Sequence, residues 1–441
     1  NKGVLPEPLR GYSSYREWLE AEEEFKGRVV FARLLPKAPP RPAPSEGAFA
    51  GGLRALGLTP YLHQQRALKR VEAGANVVLA YPTAAGKSLV YQAPVLQAAL
   101  EGATSLLLFP TKALAHDQLR RLRAMAQVLG VEGVFPYDGD TPSATRRQAR
   151  ERGLVLLSNP DMLHYGLLPR HPDWAPFLAR LRYVVLDELH AYRGVFGTHV
   201  ALILRRLLRL ARHYGASPQV LAASATIANA REHAEALTGL PFEELKAQVA
   251  RTERELLVLL PKPLDRRGER RRSPLLEAAY LARRLAEAGL KGLVFAGARK
   301  SAELIARYAA HPLVRPYRAG YTARERRRLE ADLKEGRVRV LVSTSALELG
   351  VDIGELDAVV LVGYPVSTAA FWQRAGRAGR GERRALLVYI PREDPMDEYF
   401  LHRPALLLES PPEEAVADPQ NPVLCPLHLH AAAREKPLLA E

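Results

Sequence analysis

The sequence has a single cysteine, Cys425, so no disulfide can form within the chain and no zinc site can be built from its cysteines alone. A reducing cytoplasm is the expected setting. No apolar run approaches the ~18 residues of a membrane-spanning helix, and the opening "NKGVLPEPLRGYSSYREWLEAEEEF" lacks the apolar centre of a signal peptide. No membrane partner is expected. Acidic residues are also in short supply: 48 Asp+Glu stand against 63 Lys+Arg, and the formal charge of +15 by itself favours a polyanionic partner such as nucleic acid or an acidic membrane surface. What the chain does have is length and apolar content. Its 441 residues, 47% of them hydrophobic, suffice for two or three domains with cores of their own.

Residues 1–50 end in "PKAPPRPAPSEGAFAGG", whose prolines and glycines suit neither helix nor central strand, and are expected to be an N-terminal extension with a linker. Over 51–245 short apolar runs alternate with amphipathic stretches. "NVVLAYP", "TSLLLFP", "GLVLLSNP", "RYVVLDE" and "QVLAASAT" read as buried strands. The charged, proline-containing 246–272 reads as a linker. Within 273–410 the alternation resumes with "KGLVFAG", "VRVLVSTS", "LDAVVLVGYP" and "RRALLVYIP", and 411–441 reads as a tail. This pattern predicts an α/β protein of two domains, each a mostly parallel sheet covered by helices on both faces.

A glycine is missing where chemistry would look for one. "YPTAAGKS" (81–88) has the Gly86-Lys87-Ser88 ending of a phosphate-binding loop, but Tyr81 replaces the first glycine of G-x-x-x-x-G-K-[ST]. The context still fits such a loop. Between a strand and a helix, N–H groups along Thr83, Ala84, Ala85 and Gly86 would surround phosphate oxygens, Lys87 would reach the β and γ phosphates, and Ser88 would bind magnesium. "RYVVLDELH" then places Asp187 and Glu188 just past an apolar strand, where ligands of open α/β sheets gather. Asp187 would hold magnesium and Glu188 would orient or deprotonate the attacking water; taken alone, the pair reads better as a solvated strand end. "FWQRAGRAGRGE" spaces Arg374, Arg377 and Arg380 by three residues, which helical geometry would bring near one face. Either they form a basic patch, or Arg377 and Arg380 reach across an interdomain cleft to the γ-phosphate as arginine fingers.

The three elements occur in the order found in superfamily 2 helicases of the DExH type, which residues 61–380 resemble. "YLHQQ" is similar to the glutamine motif, with Gln64 as its adenine reader; "YPTAAGKS", "FPTKALAHDQL", "SNPDMLH", "DELH" and "SAT" resemble motifs I, Ia, Ib, II and III; "LVFAGARKSAEL", "TSALELGVDIG" and "QRAGRAGR" resemble motifs IV, V and VI. "YDGDTP", "NPDMLHYGLLPRH" and "SATIANAREHAEALTGLP" narrow the likeness to the MrfA (YprA-type) DNA-repair helicases and their RecQ-related fungal cousins, in which the loop commonly lacks its first glycine.

That resemblance implies two RecA-like domains with ATP and nucleic-acid sites at the cleft between them. It implies ATP and Mg2+ as cofactors, with Gln373, Arg377 and Arg380 sensing the γ-phosphate. His190, Ser224 and Thr226 would couple hydrolysis to movement, and Asp352 would help hold the ribose or the cleft. Thr111, Lys112, Asn159, Pro160, Arg299 and Thr344 would contact DNA, mostly at phosphates because a translocase moves over any sequence. The implied activity is 3′-to-5′ unwinding in DNA repair by a monomer, on single-stranded or tailed duplex DNA, with a repair nuclease as candidate partner. Such chains continue into a winged-helix region and a four-cysteine zinc module. With Cys425 alone the zinc module is not expected here, and 411–441 would be the start of the accessory region. An RNA helicase, or a nucleotide-switched binding module that does not unwind, would share the same motifs.

Overall fold

The structure, a computed structural model, describes residues 4–82, 85–317, 321–344, 353–365, 367–379, 381–409 and 412–439. Its strands in chain order are β1 (Val29–Leu35), β2 (Val77–Ala80), β3 (Thr104–Leu108), β4 (Val134–Pro136), β5 (Val155–Ser158), β6 (Leu181–Leu186), β7 (Gln219–Ser224), β8 (Glu243–Lys246), β9 (Arg254–Leu259), β10 (Gly292–Phe295), β11 (Val314–Pro316), β12 (Val340–Ser343), β13 (Ala358–Val362) and β14 (Ala385–Ile390). They form two seven-stranded sheets, one in each of two compact units.

The phosphate-loop unit comprises residues 40–248 and 413–441. Its sheet runs β4-β5-β3-β6-β7-β2-β8 with every ladder parallel. β2, β3 and β5 are buried at every position, as expected of parallel strands covered on both faces. The intervening helices carry their own start signals. Thr111 caps Lys112–Leu129, which stops at the left-handed Gly130 (φ 71°), and Asn159 caps the turn Pro160–Met162.

The arginine-motif unit comprises residues 1–39 and 249–412. Its sheet runs β1-β9-β14-β13-β10-β12-β11, parallel except for the antiparallel edge pair β1–β9. Two segments read as linkers from sequence are therefore structural. Leu256–Leu259 of β9 are completely buried, although charged residues before the strand and prolines after it disguise it as a connector. Within the supposed N-terminal extension, Leu9, Tyr15, Trp18, Leu19 and Phe25 join the core beneath the helix Pro274–Glu287. Arg28 forms a buried ion pair with Glu277, which also accepts from Arg272 Nε at 2.8 Å and the Lys262 N–H at 2.8 Å.

The carboxy-terminal segment likewise runs back over its unit. Ala228 N–H donates to the Glu413 carbonyl (3.2 Å), and Gly194 N–H donates to that of Val416 (2.8 Å). Asn229 grips Ala415 in both directions, at 2.7 and 2.9 Å. The helix Leu424–Glu435 then lies on the helix Gly194–His213. Arg206 of that helix is buried against Glu435 and donates to His164 and His428 at 2.9 and 3.0 Å. The tail signal was invisible in the sequence because its partners are the internal Arg and His residues of a distant helix.

Candidate active site and nucleic-acid edge

The registers Ala80↔Ser224, Ala222↔Leu186, Leu186↔Leu108 and Leu108↔Ser158 align the carboxyl ends of β2, β7, β6, β3 and β5. The loops leaving these ends carry the residues singled out from sequence, at the edge where open α/β sheets bind ligands.

Beyond β2, Gly86 takes the left-handed conformation (φ 82°) that opens the helix Lys87–Leu100. That φ favours glycine, and a Cβ there would also press on the Gln64 side-chain amide. Lys87 Nζ donates to the carbonyls of Tyr81 (3.3 Å) and Ser224 (3.1 Å), which hold its ammonium at the ends of β2 and β7. Thr83 and Ala84 lie outside the described residues.

Tyr81, the apparent defect of the motif, is buried and braces the loop. Its hydroxyl donates to the His63 carbonyl at 3.0 Å, His63 Nε2 lies 2.5 Å from the Ala85 carbonyl, and Gln64 Nε2 donates to the Gly86 carbonyl at 2.8 Å. Three contacts thus join the helix Leu62–Glu72 to the loop, with Ala85 itself buried. Gln64 Oε1 also accepts from Tyr61 N–H at 2.8 Å, so each end of its amide holds backbone. The structure shows it as a loop brace. The bracing role of His63 was missed; only its place beside Gln64 hinted at it.

Beyond β6, Asp187 Oδ2 accepts from the Tyr91 hydroxyl at 2.8 Å and Oδ1 from Glu188 N–H at 2.8 Å. Burial, then the negative charge of Glu188, pushes the Asp187 carboxyl up to about 6. Glu188 adopts left-handed φ/ψ (52°, 47°), a strained state for a non-glycine residue that turns the chain sharply past the strand. Its Oε2 lies 3.0 Å from His190 Nε2, while His190 Nδ1 accepts the Ala225 N–H at 3.0 Å. That donor fixes the neutral tautomer with its proton on Nε2, facing Glu188. His190 therefore bridges the "DELH" and "SAT" segments. Ser224 is fully buried with its hydroxyl on the Ala225 carbonyl (2.7 Å), whereas Thr226 is exposed.

Ser88 Oγ accepts from Gln118 Nε2 at 3.3 Å, and Gln118 in turn accepts from Gln92 at 3.0 Å. Magnesium suits this donor set: a hydroxyl, two adjacent carboxylates whose mutual repulsion a cation would relieve, and no cluster of three or more His, Cys, Asp or Glu among the described residues to suggest an all-protein metal cage.

At the ends of β3 and β5, Thr111 and Asn159 serve as helix caps, accepting from Leu114 N–H (3.4 Å) and Met162 N–H (2.9 Å). Lys112 is exposed and pairs with Asp140 at 3.1 Å; Pro160 is buried. Two helical starts and a mobile-length cation thus share one sheet edge.

In the arginine-motif unit, Phe295↔Ser343 aligns β10 with β12, so Arg299 and Thr344 lie beyond neighbouring strand ends. Arg299 is 63% exposed and only loosely paired with Glu303 (3.9 Å), leaving its charge available to an anion. Gln373 is buried in the helix Thr368–Ala375. The expected continuous helical face for the arginines is not formed. The helix ends at Ala375, Arg374 sits 5.3 Å from the Phe295 ring, and Arg377 lies in the following turn. There Leu356 and Gly379 exchange backbone hydrogen bonds, and a Cβ on Gly379 would stand 3.1 Å from Thr252 Oγ1. Gly379 permits this close approach, where the chain leaves the helix. Asp352 and Arg380 lie outside the described residues.

A strand-to-helix loop ending in Lys87-Ser88, with paired carboxylates two strands away on the same edge, defines a P-loop nucleotide-binding protein. The comparisons with known proteins are more specific. The DEAD/DEAH box helicase family model matches residues 61–234 and the helicase conserved C-terminal domain matches 276–382. The ATP-dependent helicase YprA of Bacillus subtilis is 40% identical over 447 residues, covering 98% of this chain and 58% of the relative. The crystal structure of the DUF1998 helicase MrfA bound to DNA matches with a TM-score of 0.87 at 37% identity, over 96% of this chain and 59% of that one. MrfA bound to DNA and AMPPNP matches with a TM-score of 0.85 at 38% identity, over 93% and 60%. The chain belongs to the superfamily 2 ATP-dependent helicases, in the group of YprA and MrfA. It spans about three fifths of the length of these relatives.

Proposed function

We propose that this chain is the motor of an ATP-dependent DNA helicase that translocates 3′ to 5′ on single-stranded DNA in repair. The observation that carries the reading is the continuous set of contacts from Lys87 through Ser224 and Ala225 to His190 and Glu188, which joins the phosphate loop to the carboxylates and to the "SAT" segment. MrfA, bound to DNA and AMPPNP, supports DNA as the track and a nucleoside triphosphate as the fuel.

In this reading Lys87 exchanges its two carbonyl partners for the β and γ phosphates, and Ser88 and Asp187 hold Mg2+. The ion, when bound, supplies neutralisation of phosphate charge. Glu188 orients the attacking water and accepts its proton. His190, hydrogen-bonded to Glu188 and to Ala225, passes a change at the carboxylate to the "SAT" backbone. Arg377 and Arg380 stabilise charge on the γ-phosphate as hydrolysis proceeds. Thr111, Lys112, Asn159, Arg299 and Thr344 hold the DNA backbone at the strand ends, which makes binding independent of base sequence.

The test is strand separation on 3′-tailed and 5′-tailed duplexes with ATP, beside ATP hydrolysis stimulated by DNA or by RNA. Opening of the 3′-tailed DNA and stimulation by DNA are expected. Preference for the 5′ tail overturns the polarity, and preference for RNA overturns the track.

A further inference from the structure

Tyr91 stands one turn beyond Ser88 on the helix Lys87–Leu100, in the helical relation that stacks side chains on one face. It is 2% exposed, and a buried tyrosine hydroxyl needs a hydrogen-bond partner. Its proton goes to Asp187 Oδ2 at 2.8 Å. Ser88 stands one turn before Tyr91 on the same face of that helix, and Gln118 Nε2 donates to Ser88 Oγ at 3.3 Å from the neighbouring helix. The Tyr91 hydroxyl therefore holds one side chain suited to bind the metal and shares a helix face with the other.

The arrangement has directional consequences. Asp187 Oδ1 is held by Glu188 N–H and Oδ2 by Tyr91, so turning the carboxylate would break two hydrogen bonds at once. Each oxygen accepts a single hydrogen bond in that pair and keeps a lone pair to offer a cation. A serine hydroxyl that ligates a cation through oxygen must direct its hydrogen elsewhere, and Tyr91, one turn on along the same face, offers an acceptor oxygen while its own hydrogen remains on Asp187. No proton changes owner.

We propose that Tyr91 is the positioning residue that presets Ser88 and Asp187 as a matched pair of metal ligands. This inference rests on the reading of the site as an Mg-nucleotide site. Tyr91 touches neither nucleotide nor water in this scheme; it acts through the two ligands, and the chemistry stays with Lys87 and Glu188. Hydrogen-bond partners standing behind a metal's ligands typically alter metal affinity about 10–100-fold when removed.

The experiment uses the full chain with Tyr91→Phe, which keeps the ring and deletes the hydroxyl. Mn2+ binding in the presence of AMPPNP is followed by the loss of the free-ion electron paramagnetic resonance signal, and the Mg2+ dependence of ATP hydrolysis is measured beside it. The variant is expected to need about tenfold more metal in both assays, with hydrolysis at saturating Mg2+ within about twofold of the parent. Tyr91→Met, of similar bulk and without the hydroxyl, should match it, and carries the test if the Phe variant folds poorly. Unchanged metal affinity, or reduced hydrolysis at saturating metal without a shift in affinity, overturns the role of Tyr91 while leaving the site assignment intact. Absence of metal-assisted AMPPNP binding in the parent chain overturns the site assignment, and this inference with it.

Discussion

The two units share a sheet design and differ in how their functional side chains are held. In the phosphate-loop unit nearly every candidate group is fixed by neighbours: Lys87 by two carbonyls, Asp187 by Tyr91 and a backbone N–H, His190 between Glu188 and Ala225. In the arginine-motif unit the candidate Arg299 opens a helix, exposed and only loosely paired with Glu303. The contrast teaches a division of labour. Under the proposed function, a preorganised phosphate loop would bind and polarise the nucleotide, and an exposed, adjustable cation would suit a group that engages and releases phosphate as the cycle proceeds.

Removing a cation from the second half should therefore impair turnover without abolishing binding. Arg377→Ala is expected to lower ATP hydrolysis by about 10²-fold or more while nucleotide affinity changes little. Steady-state hydrolysis together with binding of a fluorescent nucleotide checks this, and equal loss of both would erase the proposed contrast.

Both units are closed by a buried arginine–glutamate pair from a chain end, Arg28–Glu277 in one and Arg206–Glu435 in the other. Breaking such a pair strands a buried charge, at a cost of about 3–5 kcal/mol. Glu277→Ala should destabilise the arginine-motif unit and Glu435→Ala the phosphate-loop unit, seen as loss of a different calorimetric transition in each variant.

The second closure also carries a pH response. His428 is pushed down to about 4, first by burial and then by the positive charge of Arg206, with His199 and His164 also facing it. A histidine whose folded pKa lies below its ordinary 6.5 binds fewer protons folded than unfolded, so its contribution is present above pH 6.5 and lost as the pH falls toward 4. Hydrogen exchange over 424–435 should accelerate relative to the rest of its unit at pH 5 compared with pH 7.5. The closure by Glu277 contains no histidine among its contacts described above and should not follow.

The smallest effect concerns the track. Lys112→Ala should weaken single-stranded DNA binding uniformly across sequences and reduce the slope of log K against log salt by about 0.7. Sequence-dependent loss would contradict a phosphate contact.

Much of this was legible in the sequence because parallel strands buried on both faces announce themselves as apolar runs, and because loops at their ends carry recognisable chemistry. β9 was hidden by the charges around it. β1 was hidden by the half-exposed alternation of an edge strand, with only Val29 buried at its start. Tyr81 was read as a departure from the motif, and as a trait shared with related helicases; its work as a brace required knowing that the helix bearing His63 lies beside the loop. Likewise, the turn that carries Arg377 is dictated by Leu356 and Thr252, distant in sequence, and no local spacing reports them.

The central claim is that Glu188, strained and joined through His190 to Ala225, drives hydrolysis from within the preorganised half. The most direct measurement is DNA-stimulated ATP hydrolysis by Glu188→Gln beside the parent chain, with nucleotide and DNA binding measured on the same samples. A fall in hydrolysis of about 10²-fold or more is expected, with both ligands still bound. Hydrolysis at the parent rate would contradict it.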